Sequence, residues 1–215
     1  LIGFLALGVW QLERRIWKLD LIARVDARIH VVPSPLPAPT RWRDLQAPTF
    51  EYRHVRATGA WVPGRDTLVQ ALTERGAGFW VLTPLRTFGG TVLVNRGFVP
   101  GERESLRYPP PPAGTATISG LLRATEPGGG FLRANDPAAD RWYSRDVAAI
   151  AQARSLGAVA PFFIDADASR DPRALPIGGL TVVRFANNHL VYALTWFGLA
   201  GLCGFAVFKT LRERA

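Results

Sequence analysis

The 215-residue chain has no methionine, one cysteine and three histidines, and only Lys18 and Lys209 are lysine. Each shortage excludes something. With Cys203 as the sole thiol, no internal disulfide forms and no CxxC pair exists. Copper(I) and iron–sulfur sites draw on several soft sulfur ligands, so a copper carrier is disfavoured. Zinc needs several His, Cys or carboxylate ligands, and His30, His54 and His189 fall on separate predicted elements. The chain also lacks G-x-S-x-G, G-x-x-x-x-G-K-[ST] and G-x-G-x-x-G motifs. No enzyme is expected, neither hydrolytic nor metal-catalysed. A chain that opens on Leu1 without a methionine reads as trimmed.

What is present is concentrated at the two ends. Residues 1–12 carry no charge. At ~1.5 Å per residue they span ~18 Å, short of a ~30 Å hydrocarbon core. The expectation is a first transmembrane helix whose front is missing. Leu12, Ile16, Leu19 and Ala23 continue at helical spacing, so residues 13–30 read as a juxtamembrane amphipathic helix, with Trp10 and Trp17 at headgroup level. A cleaved signal peptide is the rival, disfavoured because no small-x-small site follows. Between Arg184 and Lys209 lie 24 residues without a formal charge. About 20 apolar residues make a span, so 187–209 reads as a second transmembrane helix. Lys209, Arg212 and Arg214 mark the tail, 210–215, as cytoplasmic, which puts the long middle, 31–186, outside the cytoplasm. The net charge of +9 comes from 26 basic residues against 17 acidic. The arginines are scattered, which fits anionic lipid or cofactor groups better than nucleic acid.

The middle segment reads as mainly antiparallel β. The expected fold class is α+β: two transmembrane helices flank a β-rich extracytoplasmic domain with one or two helices, its sheet a barrel or a sandwich. Pro33, Pro35, Pro37, Pro39 and Pro48 argue against a helix and for an extended linker over 31–48. Strands are predicted at 52–61, 67–72, 78–85, 91–99, 115–123, 162–165 and 180–185, with Gly89-Gly90 turning a hairpin. One soluble helix is predicted from Ser144 to Leu156, capped by Ser144 or Asp146 and stopped by Gly157.

His189 is the leading candidate for chemistry. It stands at the mouth of the second apolar stretch, where Asn187 or Asn188 can cap a helix. On a helix, His189, Tyr192, Ala193, Trp196 and Ala200 share one face. An ionisable residue at a membrane helix end is a functional candidate by default. Imidazole suits an axial position on haem iron, and flat aromatics suit a porphyrin plane. The plainer alternative is an interfacial histidine bonded to headgroups or water, beside an aromatic belt. Arg96, at a strand end before Gly97, can pair with a carboxylate such as a propionate or can satisfy a turn. Gly97 suggests a bulge or a close backbone approach.

The motifs Leu7-Gly8-Val9-Trp10-Gln11-Leu12-Glu13-Arg14-Arg15-Ile16-Trp17-Lys18, Phe79-Trp80-Val81-Leu82-Thr83-Pro84-Leu85, Val94-Asn95-Arg96-Gly97-Phe98-Val99-Pro100, Phe162-Phe163-Ile164-Asp165-Ala166 and Asn187-Asn188-His189-Leu190-Val191-Tyr192-Ala193-Leu194-Thr195-Trp196-Phe197 occur in this order. Together they resemble the Surfeit locus protein 1 family across almost the whole chain. The resemblance implies a cytochrome c oxidase assembly factor acting while haem is placed in oxidase subunit I. It implies a multi-pass protein of the bacterial inner membrane, with its middle domain periplasmic, or of the mitochondrial inner membrane in a eukaryote. It also implies transient binding of haem a, with His189 on the iron. Tyr192 and Trp196 would then shape the pocket, and Arg96 or Arg184 would meet propionates. Expected partners are subunit I, haem a synthesis or other assembly factors, and membrane lipids, with no nucleic acid. Trp80 departs from the His or other polar residue common in the family near that position, which argues against a haem ligand there. The alternative is an interaction scaffold that stabilises subunit I without handling haem, with Gly198, Gly201 and Gly204 admitting another helix.

Overall fold

The computed structural model describes residues 1–130, 132–181 and 187–213. They form two compact units, Leu1–Ala27 with Val183–Ala215, and Arg28–Val182.

The larger unit is built on one sheet. Its strands are β1 (Ser34–Pro35), β2 (His54–Trp61), β3 (Thr67–Thr73), β4 (Gly76–Thr87), β5 (Gly90–Pro100), β6 (Thr115–Ala124) and β9 (Val159–Ala166). A small separate hairpin pairs β7 (Gly129–Gly130) with β8 (Arg133–Ala134). The sheet order is β1-β2-β6-β9-β5-β4-β3, and β2 also pairs with β4. That extra pairing closes β2, β6, β9, β5 and β4 into a ring, so the sheet is a small barrel with β3 extending from its wall. Two tight hairpins set much of this register, since Thr73 pairs with Gly76 and Thr87 with Gly90. The parallel pairs are β5 with β9 and β1 with β2. The first of these follows from the long excursion through β6 and a helix that separates its strands.

Alternation divides the apolar side chains between two cores. Val92, Val94, Phe162 and Ile164 face the barrel interior with Val55, Leu85 and Leu122. Leu93 and Phe163, one residue out of phase, face outward with Val69, Leu82 and Trp142. Strands buried on both faces read as continuous apolar runs, which is how 91–94 and 162–164 look in sequence. Helix α3 (Val147–Ala153) covers the outer core through Val147 and Ile150.

Helix α3 is shorter than predicted. Asp146 is its N-cap, accepting from the Ala149 amide at 3.1 Å. Ser144 instead donates its hydroxyl to the Glu126 carbonyl at 2.7 Å. The helix ends before Gly157 because Ser155 already adopts a left-handed conformation, φ 54°. The proline-rich segment also departs from the extended linker expected. It holds a 3₁₀ turn at Pro39–Asp44 and a helical turn, α2 (Ala47–Phe50). Both place a proline in their first turn, where its missing N–H is no loss. The turns carry Trp42 and Phe50 onto Phe162, at centroid distances of 5.9 and 5.7 Å. Of the strand predicted at 180–185, residues 182–185 lie outside the described residues.

The smaller unit contains α1 (Ile2–Ile29) up to Ala27, and α4 (His189–Arg212). The segments expected as a span and an amphipathic helix are one continuous α1. Phe4 stacks on Trp196 at 5.8 Å, Gly8 meets Phe197, and Gln11 meets His189. Leu1 lies by Gly204 at one end and Gln11 by His189 at the other, so the pair is antiparallel. The α1 contacts recur every three or four residues, one face of a helix. Ala193 and Ala200 are 1% and 2% exposed within this unit. Gly8 lets the Phe197 ring pack against α1, because a Cβ would lie 2.4 Å from the ring. Among the described residues, α4 is the helix long and apolar enough to cross a membrane. Charges enter α1 from Glu13 onward. Leu190, Val191, Leu194, Leu202, Phe205 and Phe208 leave the outside of α4 apolar and exposed.

Candidate functional site

His189 is the first residue of α4, with Asn188 in the N-cap position. Neither asparagine caps the helix with its side chain as predicted: Asn188 makes no side-chain cap bond, and Asn187 Oδ1 is buried without a partner among the described residues. The imidazole is fixed from the other helix. Its Nδ1–H donates to Gln11 Oε1 at 2.7 Å. Oε1 of an amide is an acceptor only, so Nδ1 carries a hydrogen. In the neutral ring the lone pair is then on Nε2, one of the two nitrogens through which histidine ligates a metal.

The other candidates on this helix differ in setting. Trp196 is half-buried and engaged by Phe4. Tyr192, one turn beyond His189, is 54% exposed. An imidazole whose Nε2 has no hydrogen bond among the described residues, an exposed phenol and a stacked indole are thus grouped on α4. His54 offers no such nitrogen, because both are engaged: Nδ1 with the Val31 carbonyl at 2.9 Å and Nε2 with Asp167 Oδ2 at 2.8 Å. Among the described residues no cluster of three or more His, Cys, Asp or Glu is placed to hold a metal ion.

Arg96 lies in the other unit, on β5. Its Nη2 donates to the Pro109 carbonyl at 3.0 Å, while Nη1 is buried with no partner among the described residues. Its guanidinium stands 6.0 Å from the Trp61 ring centroid. Burial lowers its pKa, opposed by the charges of Asp66 and Tyr108. Asp66 is in turn held by the Thr83 hydroxyl at 2.6 Å and the Tyr108 hydroxyl at 3.2 Å. Burial and the Asp66 carboxylate push the Tyr108 phenol up to about 12. Gly97, next along, has φ +135°, and its backbone is pressed against Ile177. His189, Tyr192 and Trp196 are thus grouped on one helix, whereas Arg96 belongs to the barrel. Arg184 lies outside the described residues.

Sequence reasoning missed two arrangements. The first is Gln11, which was visible only as a motif letter. The second is a buried ion cluster around Asp165, whose side chain is 3% exposed. Asp165 accepts from Asn95 Nδ2 at 2.8 Å, Arg123 Nη1 at 3.0 Å, Thr181 Oγ1 at 2.9 Å and Arg145 Nη1 at 3.2 Å. Arg145 also grips Glu126 through two bonds of 2.5 and 3.0 Å. Burial opposes the Glu126 charge, but these bonds outweigh it and hold its pKa below the usual value. A carboxylate ending the apolar run Phe162–Ile164 was the available signal. A cavity of about 280 Å³ opens on Arg123, Arg145, Asp165 and Trp80. A larger one of about 520 Å³, beside α3, is lined by Val147, Ala151, Val159 and Pro161 among others. Neither offers an imidazole, thiolate or phenolate for iron.

A family model described as the SURF1 family matches residues 1–201. Surfeit locus protein 1 of Homo sapiens is 35% identical over 225 residues, covering 94% of this chain and 72% of its own. That of Rattus norvegicus is 33% identical over 227 residues, covering 97% and 72%. A SURF1-like protein of Monosiga brevicollis is 34% identical over 224 residues, covering 97% and 83%.

Proposed function

The chain belongs to the SURF1 family, and from that premise we propose that it is a membrane-bound assembly factor for cytochrome c oxidase. It binds haem a and aids its insertion into subunit I. Haem is cargo rather than a resident cofactor, and the protein catalyses no reaction of its own. The observation that carries this reading is the His189–Gln11 bond, which leaves Nε2 free to ligate iron. A single imidazole at the helix mouth suits reversible ligation, as a carrier requires. Tyr192 and Trp196, on the same helix, offer flat surfaces beside it.

The same reading makes the protein multi-pass, with α1 and α4 both crossing the inner membrane and the barrel on the periplasmic side. The apolar exterior of α4 and the basic Lys209 and Arg212 in its last turn support it. In a mitochondrion the corresponding membrane is the inner one. Purification of the wild type and His189→Ala from cells that make haem a tests the ligand. The wild type retains haem a and the variant loses it.

A second reading, the scaffold, is favoured by one observation. Gly198 and Gly201 are exposed on α4, and a Cβ added at either would meet nothing within 4 Å. They leave a face that another helix can approach closely. A haem-free His189→Ala that still co-purifies with subunit I and restores the oxidase would favour it over haem delivery.

A further inference from the structure

We propose that Gln11 is the positioning residue for His189: its side-chain oxygen fixes the tautomer and the rotation of the imidazole, and so sets the strength of the iron bond. The inference rests on the reading of His189 as the haem a ligand and deepens it. Its basis is a single contact between distant parts of the chain, 2.7 Å from His189 Nδ1 to Gln11 Oε1.

A free imidazole exchanges its hydrogen between two nitrogens and rotates about its side-chain bonds. Only the tautomer with hydrogen on Nδ1 presents Nε2 to a metal. An acceptor at Nδ1 removes the competing tautomer and makes Nε2 more basic. Gln11 supplies that acceptor. The placement is stiffened on both sides: Gly8, one turn before Gln11, lets α1 approach Phe197, and Phe4 stacks on Trp196. Both partners therefore sit on rigid helices rather than loops.

The choice of acceptor also has a consequence. A carboxylate would pull the Nδ1 proton harder and give the imidazole anionic character, which holds ferric iron tightly. A neutral amide orients the ring with a smaller increase in basicity. Gln11 thus suits a ligand that must let haem go.

The test is haem a titrated into the full chain in detergent at pH 8, for wild type, Gln11→Leu, Gln11→Glu and His189→Ala. Gln11→Leu should bind haem a roughly 10- to 100-fold more weakly, the usual effect of deleting such a partner. The iron–histidine stretching frequency of the ferrous haem should rise in the order Gln11→Leu, wild type, Gln11→Glu. Release to apo-myoglobin should be fastest in the first and slowest in the last. Gln11→Glu is nearly isosteric, so its shift decides the matter if Gln11→Leu fails to fold. Unchanged frequency and release in Gln11→Glu, with haem lost from His189→Ala, would overturn the role of Gln11 and leave His189 as ligand. Haem binding unchanged in His189→Ala would overturn both.

Discussion

Nδ1 of His189 and Oε1 of Gln11 lie 2.7 Å apart although 178 positions separate them in the chain. The bond exists only where α1 and α4 touch, and Gly8 governs that contact. Gly8→Leu would place side-chain atoms where the Phe197 ring lies, since even a Cβ comes within 2.4 Å. It should separate the helices and weaken haem a retention roughly tenfold or more, as loss of the Nδ1 partner does. Haem a bound per purified chain checks this, with the circular dichroism of the barrel unchanged.

Asp165 should be the most costly polar residue to remove. Its carboxylate is shared by Arg123 and Arg145, and all three side chains are largely buried. Breaking a buried ion pair on one side costs about 3–5 kcal/mol because the partner charges remain. Asp165→Ala should therefore lower the denaturant midpoint sharply, whereas Asp136→Ala, in an ion pair exposed on the surface, should shift it little. Equal effects would contradict the cluster's role.

Gly97→Ala should destabilise the barrel without touching His189. The residue has φ +135°, and a Cβ would sit 2.3 Å from the Ile177 carbonyl carbon. The strained conformation alone costs about 1–3 kcal/mol. Moving Ile177 away would also break its two backbone bonds with Phe98, at 2.9 and 2.8 Å. Thermal unfolding of the variant measures the loss.

Acid should unfold the barrel in a defined window. Burial raises the Glu126 pKa, but the bonds and charge of Arg145 outweigh it, so the folded value is below the unfolded one. Such a group stabilises fully above its unfolded pKa, and the contribution disappears as pH falls through the folded pKa. Stability should accordingly decline below pH ~4.5. Glu126→Gln should flatten that decline. At the other extreme, the Tyr108 phenol at about 12 should titrate late, and Tyr108→Phe should remove that step from the ultraviolet absorbance.

Local signals carried much of the fold. Hairpin strands such as 67–73 and 90–100 announced themselves through β-branched residues and turn glycines, and Asp146 through its place before an apolar helical face. Closure of the ring did not, because β2 pairs β4 with the same period-two pattern that any neighbour would present. The proline segment misled, since proline breaks a helix interior but not its first turn. At the candidate site, His189 was legible as an imidazole at the mouth of an apolar run. Gln11 was not, because hydrophobic periodicity places residues on faces but does not say which polar atoms meet across two helices. Asp165 was hidden for a similar reason: a carboxylate at a strand end is ordinarily solvated, and only the fold delivers two arginines to it.

The measurement closest to the central claim is the haem a content and absorption spectrum of the protein and of His189→Ala, purified side by side from cells that make haem a. The wild type should carry haem a with an imidazole-ligated spectrum, and the variant should lose it while remaining folded. Equal haem content with an unchanged spectrum in His189→Ala would contradict it.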